Sequence, residues 1–415
     1  MPAQGSLNRA RAGLLLTVNT GSSSVKLDLF RQQPKSQPQH LATANLSIDH
    51  RDLHNQDVHN QPDSDLSGAP QVVINALHKF LSSHGFNLHD VGAVAHRLVH
   101  GGSLLRRPTL LTAALNAKLG ALTDLAPLHN PLALLWLRGC RLLLGEGCAQ
   151  LLVPETGFFI HLPRVARQYA LPRDLSESLG LHRYGFHGLA HEFMWQAWCA
   201  AGPKTSASRL LSLQLGAGCS ITATLDGKPQ DTSMGFTPLE GLVMATRCGD
   251  LDAGLVLWLQ RQAGMSVAAV DRLLNSESGL YGISGGAVGG DAAMVALLAR
   301  QDEAAKDAVA LYVYRLRKYL GAYMAVLGGV DGVMFGGGVG EHAPQIRAAV
   351  LQGFEWAGIE LDQQCNAALL SGNGLISTAA SAVKVLVCQV DEAQLLVRRL
   401  SAWLDSASGF LSTPD

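Results

Sequence analysis

The chain has 415 residues, of which 47% are hydrophobic and 16% are charged. A chain of this length and apolar content can bury large cores, so we expect about two or three domains. Its 33 acidic and 32 basic side chains nearly balance, which argues against nucleic acid or an anionic membrane as the main partner and favours a small ligand.

The cysteines do not form a pattern typical of a disulfide framework or a zinc site. There are seven of them, an odd number, and no two are arranged as C-x-x-C. Residues 14–18 are apolar but too short for a signal-peptide core, and no run of about 18 apolar residues predicts a membrane span. We therefore expect a protein of the reducing cytoplasm.

The segment 16–30, LTVNTGSSSVKLDLF, predicts a β-hairpin with a phosphate-binding turn. Glycine lets backbone N–H groups approach an anion, Lys26 adds a positive charge, and Asn19 offers an oxygen to a hydrated cation. Gly/Ser turns are common in hairpins, so this segment alone does not distinguish a phosphate site from an ordinary turn. The hydroxyl groups of Ser22, Ser23 and Ser24 add further hydrogen-bond donors to this turn.

Residues 31–70 are polar and lack helical or strand periodicity over most of their length. We interpret them as a surface excursion. Their histidines, at positions 40, 50, 54 and 59, are irregularly spaced, which favours a solvated loop over a metal site.

A second strand–turn–strand pattern, LLSLQLGAGCSITATL, occupies residues 210–225. Residues 214–218 align with residues 19–23 without a gap, at an offset of 195 positions, which indicates an internal duplication. Two such halves are expected to face each other across a cleft that holds one nucleotide.

A third glycine-rich turn, GGGVGE, occupies residues 336–341 after a buried-looking strand at 332–335. We expect a helix from about residue 343, so that the turn would lie at its N-terminus and suit an adenosine or its phosphates. The Walker glycine spacing and a G-x-G-x-x-G that opens a helix are both missing, so P-loop and Rossmann interpretations are weak.

Four further segments carry charged, histidine and glycine residues in a specific order. They read HRLVHGG, LAPLHNP, RYGFHG and DTSMGFTPLEGLVMATRCGDLD, at residues 96–102, 125–131, 183–188 and 231–252. Together with NTGSSSVK and GGGVGE they make six motifs in sequence. On these motifs the chain resembles the acetate kinase family over roughly residues 14–400.

The resemblance implies an α/β fold with two duplicated ribonuclease H-like domains of the actin, hexokinase and Hsp70 superfamily. It implies a tail at 1–12, a first domain at 13–155, a nucleotide-binding domain at 156–390, and a C-terminal helix and tail at 391–415 that pack back on the first domain. The implied activity is Mg²⁺-dependent transfer of the γ-phosphoryl group of ATP to acetate by a homodimer, with Mn²⁺ as the alternative metal.

The resemblance also implies a set of catalytic and metal-binding residues. Arg97 and Arg247 correspond to family arginines around the reacting groups, since a guanidinium fork matches both carboxylate and phosphate oxygens. His187 corresponds to the histidine that stabilises the transferring phosphoryl group. The family aspartate corresponds to Glu155. The Mg²⁺ ligands are Asn19 and Glu392.

The remaining assignments concern the nucleotide and the acyl group. The implied nucleotide-binding residues are Lys26, Ser22, Ser24, Gln214, Leu215, Gly216, Ala217, Gly218, Asp291, Gly337, Gly338, Val339, Gly340, Glu341 and His342. The implied substrate pocket consists of Arg97, Val99, Leu125, Phe186 and Pro238. A small apolar pocket favours acetate or propionate over butyrate, since each added methylene must fit or clash. A zinc site at His187 and His191 is disfavoured because no third ligand is evident.

Several positions depart from the family pattern. Glu155 replaces the aspartate, and Phe159 replaces a histidine. Other departures are Gln214, Ala217, Ala293, His342 and the two extra residues before Asp291. The retained residues favour an active acetate kinase. The alternatives are a propionate kinase, an acyl kinase that uses a donor such as pyrophosphate, and a degenerate paralogue that binds nucleotide or acyl phosphate without turnover.

Overall fold

The computed structural model describes residues 13–21, 24–33, 36–47, 70–145, 147–201, 208–286 and 293–409. Contacts divide the chain into two units, with residues 1–157 and 391–415 in unit 1 and residues 158–390 in unit 2. The boundaries predicted from the sequence, after residues 155 and 390, compare with these divisions after residues 157 and 390.

Each unit is built on a six-stranded mixed sheet. In unit 1 the strands are β1 (Leu14–Thr20), β2 (Ser24–Arg31), β3 (Gln39–Ser47), β4 (Val91–Leu98), β5 (Thr109–Leu110) and β6 (Ala149–Pro154). In unit 2 they are β7 (Arg209–Leu215), β8 (Cys219–Leu225), β9 (Lys228–Thr232), β10 (Gly332–Gly336), β11 (Gly374–Leu375) and β12 (Lys384–Val387).

The α-helices of the described residues flank these sheets. They are α1 (Pro70–Ser83), α2 (Ala113–Asn116), α3 (Asn130–Leu144), α4 (Arg164–Arg167), α5 (Arg173–Leu179), α6 (Gly188–Ala201), α7 (Ala253–Arg261), α8 (Val267–Ser276), α9 (Gly279–Ile283), α10 (Ala293–Ala299), α11 (Glu303–Leu327), α12 (Gly337–His342), α13 (Pro344–Leu351), α14 (Gln363–Ala368) and α15 (Glu392–Gly409). Short 3₁₀ helices lie at Leu88–Asp90, Leu119–Leu122, Glu155–His161 and Glu355–Ala357.

The two sheets have the same strand order. In unit 1 it is β3-β2-β1-β4-β6-β5, and in unit 2 it is β9-β8-β7-β10-β12-β11. In both, three antiparallel strands are followed by two parallel strands and a two-residue antiparallel edge strand. Strands β7 and β8 begin 195 residues after β1 and β2, as Leu14 to Arg209 and Ser24 to Cys219 show. The predicted duplication and the predicted fold class are confirmed.

Strand alternation places the core cluster and the polar site residues on opposite faces of the unit 1 sheet. Leu16 and Val18 belong to a core cluster with residues of α1 and α3. Successive strand residues point to opposite faces, so Asn19 and Arg97 project from the other side. That other face is covered by α15, which packs on β1 and β4 and buries Leu396 and Leu400.

The prediction that residues 31–70 are a surface excursion without strand structure is wrong in part. Residues 39–47 form strand β3, which pairs with β2 through backbone hydrogen bonds, so a polar sequence becomes an edge strand without a run of β-branched residues. Leu41 and Leu46 pack against the core. The histidines at 50, 54 and 59 lie outside the described residues, whereas His40 contacts Asp28 at 3.2 Å.

The glycine-rich segment after β10 also differs from the prediction. The segment is helical and not a turn, because helix α12 begins at Gly337, whereas the helix expected from about residue 343 is present from Pro344. Gly337 has φ 75°, a conformation that glycine adopts at little cost. A second helix, α13, starts at Pro344, where proline is well tolerated because a first-turn N–H has no helical partner.

None of the helices in the described part of the chain has the length and apolarity needed to span a bilayer. All seven cysteines are free thiols, and four of them are buried.

Candidate active site

Arg97, at the penultimate position of β4, is the centre of a polar network in unit 1. Its Nε and Nη2 atoms lie 3.0 and 2.9 Å from Oε1 of Glu155. Its Nη1 donates to Oδ1 of Asn19 at 3.0 Å and to the carbonyl of Thr20 at 2.7 Å. The Arg97 side chain is 12% exposed and that of Glu155 is 1% exposed. This guanidinium is therefore held in one orientation.

Glu392, the first residue of α15, completes the network. Its Oε2 accepts a hydrogen bond from Nδ2 of Asn19 at 2.7 Å and lies 3.9 Å from Nε of Arg97. Burial opposes the charge on Arg97, but the carboxylates of Glu155 and Glu392 outweigh it, so its pKa is raised. The cluster gathers amide and carboxylate oxygens, which are the ligand types of Mg²⁺.

The first hairpin carries the predicted nucleotide-binding residues of unit 1. Gly21 donates from its backbone N–H to the carbonyl of Ser24 at 2.8 Å, which closes the turn. Lys26 lies opposite Asn19 in the β1–β2 register, and its Nζ is 3.6 Å from Oδ1 of Asp28. Ser22 lies outside the described residues.

In unit 2 the equivalent hairpin lies against His187 and Arg247. A Cβ atom at position 218 would lie 3.1 Å from Nε2 of His187 and 3.7 Å from Nη1 of Arg247, so Gly218 brings its backbone close to both. Nη1 of Arg247 also donates to the carbonyl of Pro238 at 2.9 Å. A backbone turn, an imidazole and a guanidinium thus converge, as an anion site requires.

His187 and His191 share a serine. Nδ1 of His187 and Nε2 of His191 each lie 2.8 Å from Oγ of Ser220, and Nδ1 of His191 lies 2.7 Å from Oγ of Ser212. Burial, followed by the proximity of His187, holds the pKa of His191 well below its ordinary value. In the described part of the chain, no group of three or more His, Cys, Asp or Glu side chains could hold a metal ion.

The glycine-rich helix α12 is anchored by its own glutamate. Oε1 of the buried Glu341 accepts from the backbone N–H groups of Gly337 at 3.1 Å and Val390 at 3.2 Å. A Cβ atom at Gly338 would meet nothing within 4 Å, so this position is open, whereas Val339 and Gly340 are buried. Nδ1 of His342 lies 2.6 Å from the carbonyl of Leu370.

Gln214 connects the two glycine-rich segments of unit 2. A Cβ atom at Gly337 would lie 2.9 Å from Nε2 of Gln214 and 2.7 Å from the carbonyl of Leu215. Oε1 of Gln214 is buried and receives no hydrogen bond from the described residues. The carbonyl of Ala217 accepts from Ala245 N–H at 2.9 Å. Asp291 lies outside the described residues.

The predicted acyl-pocket residues are divided between the units. Val99 and Leu125 belong to unit 1, while Phe186 and Pro238 belong to unit 2. Val99 and Phe186 are buried, and the other two are half-buried.

Like Glu155, two further departures from the family pattern are buried. Phe159 is buried, and its ring centroid lies 6.1 Å from that of His191 in an edge-to-face arrangement. A Cβ atom at Gly185 would lie 2.5 Å from Cγ of Phe159, so the phenyl ring packs directly on that glycine. Ala293 is buried at the start of α10.

A second polar cluster, formed by Tyr169, Arg183 and Glu240, was not predicted from the sequence. Oη of Tyr169 donates to Glu240, whose other oxygen pairs with Arg183, and the same Oη accepts from Phe236 N–H at 2.8 Å. Arg183 and Glu240 lie in the motifs at 183–188 and 231–252, so the motifs could have identified these two residues. Tyr169 lies in neither motif. Ser212 and Ser220 were also missed.

Comparison with known proteins gives consistent matches. Residues 14–398 match the profile of the Acetokinase family. The acetate kinase of Coprothermobacter proteolyticus is 38% identical over 395 residues, covering 92% of this chain and 97% of that protein. The acetate kinase of Halothermothrix orenii is 35% identical over 403 residues, covering 94% of this chain and all of that protein. The crystal structure of Porphyromonas gingivalis acetate kinase superposes with a TM-score of 0.78 at 32% identity, covering 94% of this chain and 98% of the other. A propionate kinase from Francisella tularensis superposes with a TM-score of 0.76 at 29% identity, covering 92% and 98%.

Proposed function

The chain belongs to the acetokinase family, and on that premise we propose that it is an acetate kinase, which reversibly transfers the γ-phosphoryl group of ATP to acetate to give acetyl phosphate and ADP. The new bond joins a carboxylate oxygen to phosphorus, and the bond that breaks joins phosphorus to the β–γ bridging oxygen. Acetate is already ionised at neutral pH, so no strong general base is needed.

The observation that carries the proposal is the arrangement of Arg97. A guanidinium held by Glu155, Asn19 and the Thr20 carbonyl is fixed in orientation before substrate arrives. Catalysis of phosphoryl transfer rests on positioning and charge neutralisation, and a preorganised guanidinium supplies both. Arg247 and His187, beside Gly218, are the groups proposed to bind the transferring phosphoryl group from unit 2.

Asn19 and Glu392 are proposed to hold Mg²⁺, with Mn²⁺ as the alternative. They fit the ion, since both offer oxygen atoms, and the carboxylates of Glu155 and Glu392 exceed the charge of Arg97 by one negative charge. The ion would neutralise charge on the nucleotide phosphates. Water and phosphate oxygens would complete its coordination, as is usual for Mg²⁺.

Nucleotide binding is proposed for the glycine-rich segments of unit 2 and the first hairpin of unit 1. Gly216 and Gly218 allow close backbone approach to phosphate, and the open position at Gly338 allows approach of a larger group. The acyl-binding residues proposed from the sequence, Val99, Leu125, Phe186 and Pro238, are all apolar and suit a short alkyl group.

We further propose a cytoplasmic homodimer. Helices α5 and α7 of unit 2 expose large apolar side chains, including Leu179 and Trp258, and such surfaces favour association. Light scattering of the purified protein tests this, and a monomer at micromolar concentration would contradict it.

The decisive experiment is Mg²⁺-dependent formation of acyl phosphate, trapped as the hydroxamate, from acetate, propionate and butyrate. Each acid is tested with ATP and with pyrophosphate. We expect turnover with ATP and highest kcat/KM for acetate. A preference for propionate would make the protein a propionate kinase, the named activity of one structural neighbour.

The second candidate is a paralogue that binds nucleotide without turnover. It is favoured by the buried Phe159 and Ala293, which lie at positions where the family has polar side chains. ATP binding by calorimetry, in folded protein that forms no acyl phosphate from any pair, would support this candidate and refute the first.

A further inference from the structure

Behind His187, a row of buried polar side chains continues into the interior of unit 2. It runs from His187 through Ser220 and His191 to Ser212, with successive atoms 2.8, 2.8 and 2.7 Å apart. Ser220, His191 and Ser212 are all buried. Each contact is within hydrogen-bond distance, so the four side chains form one continuous chain.

The local fold explains how these groups meet. His191 lies in the first turn of α6, and its backbone N–H donates to the carbonyl of His187 at 3.0 Å. His187, just before that helix, has φ 56°, a left-handed conformation that is uncommon for a residue other than glycine. Ser212 and Ser220 come from the paired strands β7 and β8. Strained backbone of this kind commonly occurs where a side chain must be aimed.

The direction of the hydrogen bonds follows from the chemistry of imidazole. A neutral imidazole donates from one nitrogen and accepts at the other. Burial keeps His191 neutral, so one of its serine contacts is donated and the other accepted. Within the described residues, the Ser220 hydroxyl faces only the two histidine nitrogens. The chain therefore runs either from Ser212 toward His187 or in reverse.

The two directions differ at the end that faces the reaction. If the chain runs toward His187, the Ser220 hydroxyl donates to Nδ1 and the His187 proton is on Nε2. In the reverse direction, the proton of a neutral His187 is on Nδ1. Its Nε2 atom would then present a lone pair to the phosphoryl oxygens, which carry lone pairs of their own and cannot donate a hydrogen bond. Nε2 lies on the Gly218 side, near Nη1 of Arg247, where negative charge is expected.

We propose that Ser212, His191 and Ser220 are positioning residues, which hold His187 as the Nε2–H tautomer and aim that proton at the transferring phosphoryl group. The proposal rests on the proposed kinase activity for its role, but the hydrogen-bonded chain itself can be tested without turnover. Removing a group that orients a metal-bound imidazole through its other nitrogen typically lowers activity by about 10- to 100-fold, and we expect an effect of similar size for the imidazole of His187.

The first test compares two substitutions in the same strand. Ser220→Ala removes the hydroxyl between the histidines. Thr222→Val removes a buried hydroxyl two residues along, which contacts Thr232 and neither histidine. We expect Ser220→Ala to lower kcat about 10- to 100-fold with KM for ATP and acetate nearly unchanged, while Thr222→Val keeps wild-type kcat. Equal kcat in the two variants would overturn the proposal.

The second test is spectroscopic and independent of activity. In protein labelled with ¹⁵N in its histidine rings, the His187 signals are assigned by their loss in His187→Gln. We expect wild-type His187 to be protonated at Nε2 with Nδ1 accepting a hydrogen bond, and Ser220→Ala to shift the Nδ1 resonance. An Nδ1–H tautomer in the wild type would overturn the proposal. Absence of acetyl phosphate formation by the wild type would instead refute the kinase assignment and leave this readout intact.

Discussion

One carboxylate oxygen of Glu155 faces two nitrogen atoms of Arg97. Nε and Nη2 of the guanidinium lie 3.0 and 2.9 Å from Oε1, in surroundings where the glutamate side chain is 1% exposed. The second carboxylate near Arg97, that of Glu392, lies farther away, at 3.9 Å. Glu155 is therefore the main electrostatic partner of Arg97, even though it is one methylene longer than the family aspartate.

Glu155→Gln is expected to lower both activity and stability. It keeps the shape of the side chain but leaves the buried Arg97 charge with only the more distant Glu392. Breaking one side of a buried pair costs about 3 kcal/mol or more, and a shift of a reacting group by about 1 Å can cost about a hundredfold in rate. Urea unfolding and kcat measure the two effects. The exposed Glu355 provides the control, and Glu355→Gln should leave both unchanged.

Gly218→Ala is expected to impair catalysis with little effect on folding. Its new Cβ would lie 3.1 Å from Nε2 of His187, so the imidazole must move by a few tenths of an ångström. We expect kcat to fall about tenfold or more, because reacting groups tolerate little displacement. In Gly321→Ala, on helix α11, the added methyl meets no atom within 4 Å, so kcat should hold and the helix should gain up to about 1 kcal/mol. Equal kcat in both variants would contradict the proposed role of Gly218.

Tyr169→Phe is expected to affect the acyl substrate more than the nucleotide. Oη of Tyr169 holds Glu240 and the backbone N–H of Phe236, which flank the loop carrying Pro238. Loss of these contacts should raise KM for acetate by about two- to tenfold, the equivalent of one hydrogen bond, and leave KM for ATP nearly constant. Tyr184→Phe is the matched control, since it removes a tyrosine hydroxyl that lies 3.4 Å from the carbonyl of Gly180. A parallel rise in both KM values would refute a loop-specific effect.

The pH dependence of the free energy of unfolding should show the effect of the low pKa of His96. Burial lowers the pKa of His96 to about 4, despite a hydrogen bond with Gln150 that opposes the shift. The unfolded chain has an ordinary pKa of 6.5, so it binds more protons than the native state between pH 6.5 and 4. The contribution of His96 to the free energy of unfolding is therefore complete above pH 6.5 and is lost as the pH falls from 6.5 to 4.

The loss between pH 7 and pH 5 should be about 2 kcal/mol. Urea titrations at the two pH values measure it, and the same titrations of His96→Gln remove the contribution of all other groups by difference. If wild type and variant lose equal stability between pH 7 and pH 5, His96 titrates normally in the native state and the prediction is wrong.

The sequence predicted the parts of the fold that local chemistry specifies. Alternating apolar residues and glycine turns located both hairpins, and the offset between Asn19 and Gln214 revealed the repeated topology. Strand β3 was missed because its polar sequence becomes a strand only by pairing with β2. Helix α12 was missed because its glycines have low helix propensity, which the carboxylate of Glu341 offsets by binding the first N–H.

Site residues were predictable where a sequence motif contains them, and less so where only the packing of helices on strands brings them together. Asn19, Arg97, Glu155 and Glu392 were chosen from motifs, and the structure brings all four together. The serine contacts of His191 could not be foreseen, because they depend on how α6 lies across two strands. From the sequence, Phe159 is only the loss of a family histidine, but in the structure its ring fills the space above Gly185.

The bond between Asn19 and Glu392 joins residues 373 positions apart. During synthesis, the strands that carry Asn19 and Arg97 leave the ribosome early, while the helix that covers them leaves after the whole of unit 2. Unit 2, a continuous stretch, can complete its fold before that helix is free. A chain that stops before residue 392 would therefore leave the face of β1 and β4 that carries Asn19 and Arg97 uncovered and lack a ligand for the proposed metal, so it should bind chaperones and be degraded more than the 415-residue chain.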